Sequence, residues 1–266
     1  MENKKIIRLV LMIIAVIGLL ILVFYPRISE TGLSGFSLFP EHKGPVVSNP
    51  FENLNLEAKA VYVFDLARNE PIFELNSRAQ LPLASLTKIM TVLVAKEISF
   101  QGESLDNIID SALAQSSNEA ASALASMDNN FINLMNKKAK ELNLRQTYFL
   151  NETGLDISRQ ISGGYGSAQD VAKLIKYAIK NNPELFEATT NGESNSNIYA
   201  SSTTLLIASK TGFTDLAGGN LAVIFDAGFE HPIAVVVLGS TKEGRFTDVE
   251  KLIKATFKNL ELRIKN

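Results

Sequence analysis

The sequence predicts a mixed α/β (α+β) domain: one antiparallel sheet made by both ends of the domain, helices flanking both faces, and a helical lobe inserted between. Three observations carry this. Short β-branched and aromatic runs open the domain, a series of segments with helical spacing follows, and three more strand-like runs and a last helix close it.

Ala60–Phe64 is strand-like, Ala67–Glu70 reads as a turn, and Ile72–Leu75 returns as the hairpin partner. Pro82 then stops the chain, and the apolar run Ile89–Ile98 predicts a buried central helix preceded by Ser85. Leu105, Ile108, Ile109, Ala112 and Leu113 recur at helical spacing and lead into Ser116-Ser117-Asn118. A second helical stretch runs from Glu119 to about Met127, and a third carries Phe131, Leu134, Met135, Ala139 and Leu142 on one face. Ser167 with Asp170 has the form of a capping box and opens a further amphipathic helix. Leu205–Thr211, Leu221–Phe225 and Ile233–Leu238 read as strands, the last two apolar enough to be covered on both faces. Thr247 with Glu250 predicts the cap of the last helix.

Ahead of the domain, Leu9–Tyr25 is a run of seventeen residues without a charge. At ~1.5 Å per residue it comes close to crossing a hydrocarbon core of about 30 Å. Lys4, Lys5 and Arg8 precede it and only Arg27 follows, so the N-terminus is expected in the cytoplasm and the rest outside. No small-residue cleavage site follows, which favours an uncleaved anchor over a signal peptide. The expected organisation is therefore 1–27 anchor (or signal segment), 28–55 a Pro/Gly/Ser-rich tether, and 56–266 the folded domain. Beyond residue 27 there are 22 basic and 27 acidic residues, and no basic cluster suggests nucleic acid.

The 266 residues include no cysteine and only two histidines, His42 and His231, both among turn signals and read as surface residues. That disfavours a Ser-His-Asp triad, a thiol nucleophile or a His/Cys metal site, so no metal and no cofactor are expected. Any serine nucleophile here needs another base. Three short patterns supply the parts: Ser85-x-x-Lys88, Ser116-x-Asn118 and Lys210-Thr211-Gly212, each present once and each at the edge of an element. Ser85 and Lys88 lie one helical turn apart on one face. Singly, the three read as a helix cap, a polar turn and a solvated strand end. Together and in this order they point to serine acyl transfer with a lysine base.

Around these patterns the chain resembles the serine D-alanyl-D-alanine carboxypeptidases, the low-molecular-mass penicillin-binding proteins. The likeness extends to Pro82–Thr91, Gln115–Ala121, Phe149–Asp156 and Lys210–Gly218. It implies the penicillin-recognising serine enzyme fold and an enzyme that removes the terminal D-alanine from peptidoglycan stem peptides ending in D-Ala-D-Ala. β-Lactams would be its covalent inhibitors. Ser85 would be the nucleophile and Lys88 its base, with a pKa lowered by burial and by the charge of Lys210. Ser116 would relay a proton, and Asn118 would accept from Lys88 while donating to substrate. Lys210 and Thr211 would take the substrate's terminal carboxylate, and Gly212 would let substrate lie against the strand edge. The N–H groups of Ser85 and Phe213 would hold the oxyanion. Arg245 stands where relatives often carry an arginine near the carboxylate, with a solvated surface arginine as the other reading.

The chain departs from the pattern in its short gap between Ser85 and Ser116, in Ser117 where many relatives have glycine, and in lacking a counterpart to their C-terminal β-rich domain or membrane helix. A class A β-lactamase would need a deacylating glutamate before its Leu-Asn pair, and Ala139 stands at that position before Leu142-Asn143. A D,D-endopeptidase of the same family and a non-catalytic cell-wall-binding protein are the remaining alternatives.

Overall fold

A computed structural model describes residues 49–99, 103–190, 195–197 and 205–265. The apolar run 9–25 and His42 lie outside them, as does most of the polar patch 191–204. Among the described residues no helix is long and apolar enough to cross a membrane.

The first described strands form a hairpin, β1 (Ala60–Asp65) with β2 (Glu70–Leu75). It ends in three nine-residue strands, β6 (Leu206–Thr214), β7 (Gly218–Asp226) and β8 (Pro232–Ser240). They form one antiparallel sheet in the order β2-β1-β8-β7-β6. The register Ala60↔Leu238 to Asp65↔Ile233 joins the first strand to the last, as the sequence pattern requires. Side chains alternate across this sheet. Ala60, Tyr62, Ala222, Ile224, Ala234 and Val236 face a core shared with the helical lobe. Val61, Val63, Leu221, Val223, Val235 and Val237 face a second core closed by Phe246, Val249 and Leu252 of the last helix.

Between the two halves lie β3 (Leu81–Pro82), a 3₁₀ turn (Ala84–Leu86), α1 (Thr87–Ile98), α2 (Glu103–Leu113), α3 (Asn118–Ala125) and α4 (Phe131–Glu141). After them come β4 (Tyr148–Phe149), β5 (Gly164–Gly166), α5 (Ala168–Asn181) and a 3₁₀ segment (Pro183–Thr189). The short strands form a second sheet, β3-β5-β4. Helix α1 is buried from Thr87 to Ala95, which explains why its sequence is apolar on every side.

Three details differ from the sequence pattern. The packed domain begins before Leu56, because Phe51 is buried and stacks on Phe73 of β2. Ser167 does cap α5 by accepting from the Asp170 N–H, but the Asp170 carboxylate does not complete a box; it accepts from Gln146 N (2.7 Å) and Thr147 Oγ1 (3.1 Å). The last helix, α6 (Gly244–Lys265), starts three residues ahead of Thr247. Thr241 Oγ1 accepts from Gly244 N, while Thr247 lies inside the helix and donates to Gly244 O. Asp248 of α6 is fully buried and accepts from Ala58 N, Glu57 N and Ser240 Oγ, pinning the start of β1, the end of β8 and the helix to one carboxylate.

Candidate active site

Ser85 sits in the 3₁₀ turn that leads into α1, and the turn is held under strain. Ala84 has φ +48°, a left-handed conformation that a residue with a Cβ adopts at a cost of roughly 1–2 kcal/mol. Asn220, fully buried in β7, steadies it: Nδ2 donates to Pro82 O (2.9 Å) and Leu83 O (3.0 Å), and Oδ1 accepts from Gly239 N (2.8 Å). Strand β6 runs directly against this turn. A Cβ on Gly212 would stand 3.0 Å from Leu83 O and 3.1 Å from Ser85 N. The space beside Gly212 is thus filled by the nucleophile's own turn, not left open for a ligand, and a side chain would push β6 away from Ser85.

One helical turn on, the wholly buried Lys88 points its amine at three oxygens: Ser85 Oγ at 3.0 Å, Asn118 Oδ1 at 2.7 Å and the Thr153 carbonyl at 3.0 Å. Burial lowers its pKa to about 8, against the opposing pull of the Glu152 and Glu119 carboxylates. Ser117, the residue that stands for glycine, caps α3 by accepting from Ala120 N and so fixes Asn118 at the helix start.

A second cluster lies beside the first. Lys210 Nζ donates to Ser116 Oγ (2.8 Å) and to Thr211 O (3.0 Å). Ser116 has φ +61°, the second strained residue of the site. Complete burial pushes the Lys210 pKa well below the ordinary lysine value, and the charges of Lys88 and Arg245 push it further. Burial is the largest influence on both amines, and the charges of Lys88 and Lys210 disfavour each other's protonation on top of it. Arg245 is no solvated surface residue. Only 7% exposed, it donates from Nη1 to Gly212 O at 2.7 Å, and its Nε, also buried, has no hydrogen-bond partner. The early start of α6 turns it inward. Thr211 Oγ1 shares a 2.6 Å hydrogen bond with Ser196 Oγ, and Phe213, the next residue after Gly212, is 43% exposed with the Lys242 ammonium over its ring. Strand β6 is last in the sheet order, and its outer edge pairs with no strand among the described residues.

The structure therefore brings together Ser85, Lys88 and Asn118 in one cluster and Ser116, Lys210, Thr211 and Arg245 in another, with Gly212 and Phe213 on the strand between. Sequence reasoning missed Thr153, which acts through its backbone, Ser196, hidden in a polar patch, and Asn220. The last left a trace: an amide within the apolar run Leu221–Phe225 and its glycine lead-in. His231 is not a free surface residue; its Nε2 lies 2.7 Å from the buried Asp65 carboxylate, in a cluster with Arg68. Among the described residues no group of three His, Cys, Asp or Glu side chains could hold a metal ion.

A family model described as D-alanyl-D-alanine carboxypeptidase matches residues 100–242, more than half of the chain. The chain belongs to the D-alanyl-D-alanine carboxypeptidase family. It is 27% identical over 92% of its length to D-alanyl-D-alanine carboxypeptidase DacF of Bacillus subtilis, an overlap that must include Ser85 and Lys88 although the family model begins later. It is 31% identical over 78% of its length to DacC of Escherichia coli. The chain spans 70% of the first relative and 63% of the second. Among solved structures, penicillin-binding protein D2 of Listeria monocytogenes in its cefotaxime-bound form is 26% identical, with a TM-score of 0.68 over 77% of this chain and 99% of that one. The carboxypeptidase DacD of Francisella tularensis, at 22% identity and a TM-score of 0.69 over 80% of this chain and 73% of that one, shares the fold. Family membership makes this a penicillin-recognising serine peptidase fold.

Proposed function

We propose that this chain is a serine D-alanyl-D-alanine carboxypeptidase that removes the terminal D-alanine of peptidoglycan stem peptides through an acyl-enzyme on Ser85. The observation that carries the proposal is the set of neighbours around Lys88. A neutral amine has two N–H groups and one lone pair. Asn118 Oδ1 and Thr153 O can only accept, so they take both N–H groups. The lone pair is left facing the single neighbour able to donate, the Ser85 hydroxyl. With a pKa of about 8, about one tenth of Lys88 is neutral at pH 7.

In this reading Ser85 Oγ gives its proton to Lys88 Nζ and attacks the carbonyl of the penultimate D-alanine. The Ser85 and Phe213 N–H groups hold the resulting oxyanion. The carbon–nitrogen bond then breaks, the leaving amine takes a proton from the Ser116–Lys210 pair, and free D-alanine departs. Water then attacks the remaining ester, giving one proton to the depleted Ser116–Lys210 pair, and Lys88 returns its proton to the departing Ser85 Oγ, which restores the enzyme. The substrate's terminal carboxylate is met by Thr211 and the two buried cations Lys210 and Arg245. A carboxylate arriving there offsets the repulsion around Lys210 and raises its proton affinity, so that binding readies it as a donor. Asn118 also offers its amide N–H groups to the substrate backbone, and the open edge of β6 suits an extended peptide. The domain would act outside the cytoplasmic membrane, held by residues 1–27 through the tether. β-Lactams would acylate the same serine.

Incubation with a fluorescent penicillin tests the acyl-enzyme. The wild-type protein is expected to carry one covalent label, mapped to Ser85 by mass spectrometry, and Ser85→Ala to carry none. A wild-type protein that takes up no label, or an adduct that survives in Ser85→Ala, would sink the proposal and favour a non-catalytic binding protein.

A further inference from the structure

The loop between β4 and β5 joins the two walls of the site. Thr153 gives its carbonyl to Lys88. Gly154, at φ +78°, passes so close to the nucleophile's turn that a Cβ there would stand 1.8 Å from Ala84 O. Asp156 then reaches the far wall: Oδ1 accepts from Thr214 Oγ1 at 3.0 Å and Oδ2 accepts from Leu216 N at 3.2 Å. Thr214 Oγ1 itself accepts from Ala217 N at 3.2 Å, so this one carboxylate holds, directly and through Thr214, a turn that the pairing Thr214↔Gly218 closes. Three residues of one four-residue stretch, Thr153, Gly154 and Asp156, thus touch the base, the turn that presents Ser85, and the turn that follows Phe213. The loop is itself stiffened, since Asn151 Oδ1 accepts from Gly154 N and its Nδ2 donates to Leu155 O.

We propose that Asp156 is a positioning residue: by tying the β6–β7 turn to the loop braced on Ala84 and Lys88, it sets the spacing between the Ser85 and Phe213 N–H groups. The inference rests on the acyl-enzyme reading above, in which those two groups hold the oxyanion. Oxyanion donors act only within a narrow distance range, and a displacement of about 1 Å costs up to about 10²-fold in rate. Phe213 lies one residue before Thr214 on the same paired strand, so in this inference slack in the tie reaches its N–H through a shift of the β6–β7 end. Asp156 touches neither Ser85 nor Lys88, which separates its effect from that of the base.

The test is penicillin acylation resolved into the affinity of the non-covalent complex and the rate constant of the covalent step. Asp156→Ala is expected to slow the covalent step by roughly 30-fold. The non-covalent affinity should stay within about threefold, and the acid limb of the pH profile should not move, because Lys88 is unchanged. Asp156→Asn should recover most of the rate: its carbonyl still accepts from Leu216 N, and its amide can donate to Thr214 Oγ1. Thr214→Val, which replaces the hydroxyl by a methyl group and leaves the Asp156 bond to Leu216 N, gives a milder probe with an expected loss of about fivefold. A Ser85 adduct forming at the wild-type rate in both Asp156→Ala and Thr214→Val would overturn this inference alone. So would a loss confined to non-covalent affinity or to thermal stability. A wild-type protein that forms no Ser85 adduct overturns the parent reading and this one with it.

Discussion

Lys88→Ala is expected to lower the rate of penicillin acylation near neutral pH on the order of 10³-fold, the scale on which a positioned general base contributes. No other base is in place. The only described histidine, His231, is held by Asp65, and no cysteine exists. Lys210, the nearest comparable amine, is engaged with Ser116 and Thr211 O. Lys88→Arg should be as inactive, because a guanidinium stays protonated. The wild-type protein supplies the companion result. Since burial lowers Lys88 to about 8, the acid limb of acylation should rise with pH and level off above about 8. Stopped-flow acylation across pH 6–9, with circular dichroism to confirm folding, measures both. Substantial acylation by Lys88→Ala at pH 7 would remove Lys88 from the role of base.

Lys210→Ala is expected to reduce acylation efficiency by about 10²-fold or more toward ligands that carry a carboxylate, the cost of removing one partner of a buried charge-assisted contact. The loss has two sources. The terminal carboxylate loses one of its two buried cations, leaving Arg245, and Ser116 loses the donor that holds its strained conformation. A peptide ending in a carboxamide separates them. The wild-type enzyme should already handle it poorly, and Lys210→Ala should then cost much less than with the carboxylate. Equal losses with both ligands would assign Lys210 to the proton relay alone; no loss with either would remove it from the site.

The sheet, its strand pairing at the two chain ends and the helical lobe were legible because each element carries its own periodicity. The unbroken apolar runs of β7 and β8, and the all-round apolar character of α1, require the burial observed on both faces. The three motifs were legible because the residues of each lie within four positions of one another in the chain. What stayed hidden acts across the fold. Thr153 works through a carbonyl that any residue would supply, and Asn220 and Asp156 reach partners 137 and 58 residues away in the chain. Arg245 was ambiguous because its burial depends on where α6 starts, and Thr241, rather than Thr247, sets that point. How far each amine is depressed was likewise invisible, since burial, the largest cause at both Lys88 and Lys210, is set by the packing of separate elements.

The most direct test of the central claim is incubation of the enzyme with a stem pentapeptide ending in D-Ala-D-Ala, with free D-alanine as the readout. Stoichiometric release of one D-alanine per peptide, lost in Ser85→Ala, is the predicted result. Absence of D-alanine release, or cleavage only of cross-linked dimers to monomers, would contradict it.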